Sequence, residues 1–186
     1  MIKRDNLISV DNLPLIELHK IFITSLGGSV LETSDVSQRP LELDLIPPLP
    51  HKIRVYIYNL THPPGGRTLG EHKIQIILPE HKQNKRAEFD NSGGRIVILA
   101  GYEPENRIFV LWDAGLYVNN PFSRNVQVKP EAVYEAFAGK ISLQERNIRG
   151  QGKEIVVTCP RKKLPEALYL RMELTRKRLL GNIDYA

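Results

Sequence analysis

The chain has 186 residues, enough for one domain with a sizeable core and a small appendage. Its 26 Lys and Arg against 21 Asp and Glu give a formal net charge of +5, which admits nucleic acid as a partner without demanding it. The single cysteine, Cys159, excludes an internal disulfide, no apolar run approaches the roughly 20 residues of a membrane span, and Met1-Ile-Lys-Arg-Asp lacks the apolar centre of a signal peptide. The expectation is a cytoplasmic chain with no membrane partner.

In chain order, Asp11 or Asn12 is placed to cap a helix running to about Leu26, with Pro14 in its first turn and Gly27-Gly28 as its stop. Leu15, Leu18, Phe22 and Leu26 share one stripe, whereas His19 lies off it and is predicted at the surface or rim. One short strand is expected around Val30–Glu32. Pro47-Pro48-Leu49-Pro50 then reads as a stiff, polyproline-like connector and as the one boundary in the chain. It would separate an N-terminal helical segment (1–50) from a β-rich domain with a C-terminal helix (51–186).

The β-rich part begins with Ile53–Leu60, whose alternation predicts a core face (Ile53, Val55, Ile57) and a polar-aromatic face (Arg54, Tyr56, Tyr58). His72–Leu78 sets Ile74, Ile76 and Leu78 on one face, and Pro79 ends it. After a charged, solvated loop (Glu80–Phe89), Arg95–Tyr102 and Arg107–Trp112 form a nearly all-apolar central hairpin through Glu103-Pro104-Glu105-Asn106. Pro130 opens a helix through Val133, Phe137 and Ala138. Two strands, Ile141–Glu145 and Glu154–Thr158, flank a turn, Arg146–Gly152. Pro165 starts a last helix to Leu180, with Leu168, Met172 and Leu179 inward and Arg171, Arg176, Lys177 and Arg178 on a solvated face. The fold class is mainly β with flanking helices, seven or so strands closing an antiparallel sheet into a small open barrel.

No dinucleotide, Walker or zinc-protease motif occurs, and the histidines share no ligand spacing, so no cofactor and no metal are implied. Cys159, at a strand end before Pro160, has no activating partner and reads as a structural thiol. Glu71-His72-Lys73 resembles the second half of the Asp…Glu-x-Lys arrangement of restriction-type nucleases, but the strand upstream offers no acid. A divalent-metal nuclease on Glu71 and Lys73 is therefore one rival reading. A protein-interaction module, using the N-terminal helix and the Tyr56/Tyr58 face, is another.

Two loops carry the remaining chemistry. The first, Thr61–Glu71 and its edge, offers Thr61, His62, Arg67, Thr68, His72 and Lys73 around Gly65 and Gly66. The second, Asp113–Gln127, offers Tyr117, Asn119, Asn120, Ser123, Arg124, Asn125 and Gln127 around Pro121-Phe122. Arg reads guanine and Asn or Gln reads adenine in the major groove, while Lys, Arg, Ser, Thr and Tyr hold phosphates. Apart from Glu71 and Asp113 at their ends, neither loop carries an acid. The bland alternative is a pair of ordinary polar loops with Tyr117 and Phe122 tucked into the core.

The runs Tyr58-Asn-Leu-Thr-His-Pro-Pro-Gly-Gly-Arg67, Glu71-His-Lys-Ile-Gln-Ile-Ile-Leu-Pro79, Phe109-Val-Leu-Trp-Asp-Ala114 and Asn119-Asn-Pro-Phe-Ser-Arg-Asn-Val-Gln-Val128 resemble the B-three-like DNA-binding pseudobarrel. This is the effector or target-recognition domain of certain restriction endonucleases (the EcoRII, BfiI and NgoAVII types), and a fold relative of plant B-three transcription-factor domains. The resemblance spans about Lys52 to Thr158. It implies an open barrel of about seven strands that grips duplex DNA with two arms in the major groove, here Thr61–Lys73 and Asp113–Arg124 or Gln127. Arm residues in that family vary with the target sequence, so the resemblance carries over their location alone. By side-chain chemistry within and near the arms, Arg67, Arg124, Asn119, Asn120 and Ser123 are the candidates for base contacts, and Thr61, His62, Lys73, Arg146 and Arg149 for phosphate contacts. The resemblance also implies no catalytic residue here and a nuclease domain or subunit elsewhere.

Overall fold

Unbroken apolar runs and strict alternations become strands throughout, and their different patterns decide which strands are central. The computed structural model describes residues 12–61, 71–79 and 81–181. Its elements are α1 (Leu15–Leu26), β1 (Val30–Thr33), β2 (Leu41–Leu45), β3 (Lys52–Asn59), β4 (His72–Ile76), β5 (Ile96–Glu103), β6 (Ile108–Trp112), β7 (Arg124–Val128), α2 (Pro130–Phe137), β8 (Ser142–Ile148), β9 (Gly152–Pro160) and α3 (Leu164–Leu179).

Seven strands form one mixed sheet in the order β1-β2-β3-β5-β6-β9-β8, and β4 pairs with β7 in a separate two-stranded ribbon. Strands β1 and β8 are the sheet's edges, so backbone pairing among the described residues does not close it. Nor is the sheet wholly antiparallel as expected: β3 and β5 run parallel, Ile53↔Ile96 through Asn59↔Tyr102. The cause is β4, which leaves the sheet between them, so the chain re-enters in the same direction. Strands β5 and β6 are apolar on both sides and sit centrally. Strand β4 alternates Ile74 and Ile76 inward with Lys73 and Gln75 outward, the pattern of a strand with one wet face.

Each face of the sheet is covered by a different layer. On one face α1 and α3 pack Leu18, Phe22, Leu26, Leu164 and Leu168 against Leu43, Ile53, Val55, Ile57 and Phe109. On the other face the ribbon and α2 pack Ile74, Ile76, Val126, Val128 and Val133 against Tyr56, Tyr58, Leu99, Val110 and Trp112. The β3 face predicted to be polar-aromatic is therefore interior, and Tyr56 and Tyr58 are not available to a partner. Arg54 on that face is buried too, its guanidinium donating to the Glu42 carboxylate at 2.7 Å and to the Asp90 carbonyl at 2.6 Å. Close approach of ribbon to sheet depends on Gly101: a Cβ there would lie 2.7 Å from Ile74 Cγ2 and 3.1 Å from the Trp112 ring.

The N-terminal part departs from expectation in three ways. His19 is fully buried rather than at the rim, because Val36, in the loop before β2, lies against it; its Nδ1–H donates to the Val36 carbonyl at 2.7 Å. Strand β2 was not expected, although Leu41, Leu43 and Leu45 alternate with Glu42 and Asp44. The proline run is a turn between neighbouring strands rather than a spacer: Leu45 N–H donates to the His51 carbonyl at 2.8 Å, and β2 pairs with β3 across it. Residues 12–50 thus share a sheet and a core with the β-rich part of the chain.

The C-terminal part departs as well. Arg124–Gln127 is strand rather than loop, and Arg146 lies within β8 rather than in the hairpin turn. On α3 the buried stripe is Leu164, Ala167, Leu168, Arg171 and Leu174, so Arg171 is interior, while Leu179, expected inward, is 71% exposed.

Candidate nucleic-acid interface

The ribbon has one apolar face against the sheet and one polar face turned away from it. In register, Lys73 faces Gln127 and Gln75 faces Asn125, so a cation and three amides line the outward side. Lys73 Nζ donates to Asn125 Oδ1 at 3.4 Å, and Gln75 Nε2 donates to the Ser123 hydroxyl. Thr61 exchanges two backbone hydrogen bonds of 2.9 Å with Lys73, which brings the first loop onto the start of β4. The second loop enters at the other end, where Ile76 pairs with Arg124. Four strand steps separate the two entry points, about 13 Å.

Of the first-loop candidates, His62, Gly65, Gly66, Arg67 and Thr68 lie outside the described residues. Thr61 is half-buried. His72 is buried, because it shares the inward side of β4 with Ile74 and Ile76, and it does not join the polar face. Lys73 does.

The second loop is built over a buried polar network. Asp113, the first residue after β6, is 2% exposed. Arg178 of α3 grips its carboxylate with two hydrogen bonds, Nε to Oδ2 at 2.6 Å and Nη2 to Oδ1 at 3.0 Å; Arg171 Nη2 lies 3.5 Å from Oδ2, and Gly115 N–H donates to Oδ1 at 3.1 Å. The backbone N–H of Asp113 donates to Glu154 Oε1 at 3.0 Å, and the Tyr117 hydroxyl donates to Glu154 Oε2 at 2.6 Å. Arg146 Nε sits 3.6 Å from the same carboxylate, and its Nη1 donates to the Gln127 carbonyl. Burial raises the Glu154 pKa above its ordinary value, against the hydrogen bond from Tyr117 and the Arg146 charge. Burial and the Glu154 carboxylate push the Tyr117 phenol strongly upward.

Tyr117 and Asn120 thus correct the expectation that both would face DNA. The Asn120 side chain donates to the Tyr117 carbonyl at 2.6 Å and accepts from Arg124 Nη1 at 2.9 Å, and the Arg124 guanidinium lies 4.8 Å above the Tyr117 ring. The core-packing alternative holds for Tyr117 but not for Phe122, which is exposed and meets the His81 ring edge-on. Asn119 and Ser123 carry φ of 51° and 63°, a left-handed backbone held only where surroundings enforce it. For Asn119, Arg86 Nη1 donates to its carbonyl at 2.7 Å. Asn125 is exposed, Gln127 half-buried, and Arg149 exposed at the β8–β9 turn.

Beside the ribbon, a groove of about 420 Å³ is lined by Glu71, Gln127, Lys129, Gln144, Arg146 and Lys153, among others. Among the described residues, no group of three or more His, Cys, Asp or Glu is placed to hold a metal ion. No described helix is long and apolar enough to cross a membrane. Cys159 is fully buried, and burial pushes its thiol up to about 12.

Sequence reasoning missed Asp113, Glu154, Arg171 and Arg178 as determinants of the loop. A signal was present: Leu164, Leu168, Arg171 and Arg178 follow helical spacing, so both arginines fall along the apolar stripe.

These features define a mainly β domain, with nine strands and three α-helices among the described residues, that displays a two-stranded polar ribbon over a mixed sheet. The family model described as methylase-associated X1 matches residues 51–168, well over half of the chain, and the chain belongs to that family. The match takes in the ribbon, both loops and Glu154, and it places the domain in a restriction–modification context. No curated protein and no solved structure matches the chain.

Proposed function

We propose that this domain recognises double-stranded DNA in a sequence-specific manner for a restriction–modification system, as a non-catalytic target-recognition component. The observation that carries the reading is the outward ribbon face, where Lys73, Gln75, Asn125 and Gln127 present donors and amides with no carboxylate among them. The major groove, about 12 Å wide, admits a two-stranded ribbon, and the entry points of the two loops match its width. Gln75 and Asn125 suit adenine edges, Arg124 and Arg67 suit guanine, and Thr61, His62, Lys73 and Arg149 suit phosphates. Arg146 leaves the set of phosphate contacts, since its guanidinium is engaged by Glu154 and the Gln127 carbonyl. Sheet and ribbon together fit an open pseudobarrel of the B-three-like kind, with the catalytic partner, a nuclease or methylase, on another domain or chain.

The test is selection from a randomised duplex pool at moderate salt, followed by sequencing of the bound fraction. An enriched motif of several base pairs is expected, and Asn125→Ala should relax it at one position at a cost of roughly 1–3 kcal/mol. A pool that is not retained sinks the reading, and DNA cleavage by the domain alone in magnesium overturns its non-catalytic part.

A further inference from the structure

We propose that Arg178, Asp113 and Glu154 are positioning residues for DNA recognition, setting the second loop so that Arg124 meets its base in one orientation. The inference rests on the DNA-reading function above. Its basis is an unbroken run of contacts from α3 to the ribbon. Arg178 grips Asp113, Asp113 N–H binds Glu154, Glu154 holds the Tyr117 hydroxyl, the Tyr117 carbonyl holds Asn120, and Asn120 with the Tyr117 ring holds Arg124. None of these groups belongs to the outward ribbon face; Arg124, opposite Ile76, is half-buried at the end of the ribbon where the second loop enters.

Stability alone does not explain this construction. Asp113, Glu154 and Arg171 are buried charges, and well-packed apolar residues of similar volume commonly serve a fold as well or better. Such a network does fix geometry: a planar guanidinium fork on a carboxylate admits one orientation. The loop it fixes also contains the left-handed Asn119 and Ser123, so its path depends on being held. An arginine already clamped before binding loses less conformational freedom on docking, which sharpens discrimination between bases.

Gly115 offers a way to separate positioning from folding. A Cβ on it would lie 2.6 Å from Arg178 Nη2, and the obstructing atom is the end of a flexible side chain rather than backbone. Gly115→Ala should therefore dislodge the fork from Asp113 while the chain folds.

The experiment compares wild type, Gly115→Ala, Arg178→Ala and Arg178→Lys by hydrogen exchange of the backbone amides of residues 117–120, 122 and 123 and by affinity for selected duplexes against single-base-pair variants. Faster loop exchange is expected in all three variants, as is a cognate-to-variant ratio lowered about tenfold at the base pair read by Arg124, roughly one base contact. Lysine should not rescue, because it restores charge without the fork. Unchanged loop exchange and unchanged discrimination in Gly115→Ala and Arg178→Ala would overturn the proposal, as would full rescue by lysine. If wild type selects no motif, the DNA reading has failed, while loop exchange alone still judges whether α3 positions the loop.

Discussion

Replacing Tyr117 with phenylalanine removes one oxygen atom from the interior and leaves the ring that packs under Arg124. That oxygen donates a 2.6 Å hydrogen bond to Glu154, a carboxylate that is itself fully buried. A hydrogen bond to a charged group contributes about 1.5–3 kcal/mol. The ring volume is kept, so no cavity cost is added. At about 2–4 °C per kcal/mol for a domain of this size, the melting temperature should fall by about 3–12 °C. The chain has one tryptophan, Trp112, buried in the core beneath the ribbon, with its indole N–H donating to the Gln127 carbonyl at 3.3 Å. Urea unfolding followed by its fluorescence therefore reads the region concerned. A second consequence concerns Glu154: without this donor, its already raised pKa should rise further. Sequence reasoning placed Tyr117 on DNA, which predicts the opposite pattern. A stability loss below about 0.5 kcal/mol together with lost DNA affinity would refute the buried-network account.

Three further perturbations test other parts of the fold. Burial holds His19 below its ordinary 6.5, against the bond to Val36 and with help from Arg39. The unfolded chain therefore takes up a proton first, so stability present above pH 6.5 should be lost as pH falls through the folded value. His19→Asn, which can keep the donor to Val36, should flatten that part of the pH profile of urea midpoints, and parallel profiles would count against it. Gly101→Ala should destabilise by about 1–3 kcal/mol through overpacking against Ile74 and shift Trp112 fluorescence; a neutral substitution would mean the ribbon sits farther from the sheet. The Cys159 thiol, fully buried and pushed up to about 12, should react with a disulfide reagent only as fast as the protein unfolds, and prompt labelling of native protein would contradict its burial.

The parts of this fold that sequence made legible are those whose signal is local. The β5–β6 hairpin announces itself by unbroken apolar runs on either side of Pro104, and α1 by Leu18, Phe22 and Leu26 with two glycines at its end. What escaped depends on distant partners. Alternation in β3 does suggest one wet face, but β4 and β7 cover it, and those strands pair with each other across about 50 intervening residues. His19 lies off the apolar stripe, yet a loop 17 residues onward buries it. Arg178 reads as a solvated cation because its acid, Asp113, lies 65 positions earlier. Strand β2 was hidden by brevity, five residues between Pro40 and Pro47, although its Leu/acid alternation was visible. For the candidate site, residue type nominates Lys73, Ser123, Arg124, Asn125 and Gln127, which the structure brings together on the ribbon and its entry, whereas the inward turn of His72, Tyr117 and Asn120 was not legible, since residue type does not say which side of a strand or loop faces the core.

The ribbon has a consequence for how such domains diversify. Its two strands come from separate excursions of the chain, residues 60–95 and 113–141, and no backbone pairing of the seven-stranded sheet passes through either strand. The sheet can hold its ladder while these segments change in sequence and length. Each segment supplies only half of the ribbon, with Ile74 and Ile76 on one strand and Val126 and Val128 on the other. On the DNA-reading function proposed above, a change of target by exchange between related domains would have to move both segments together, and transplanting either alone would leave a mismatched ladder over the seven-stranded sheet.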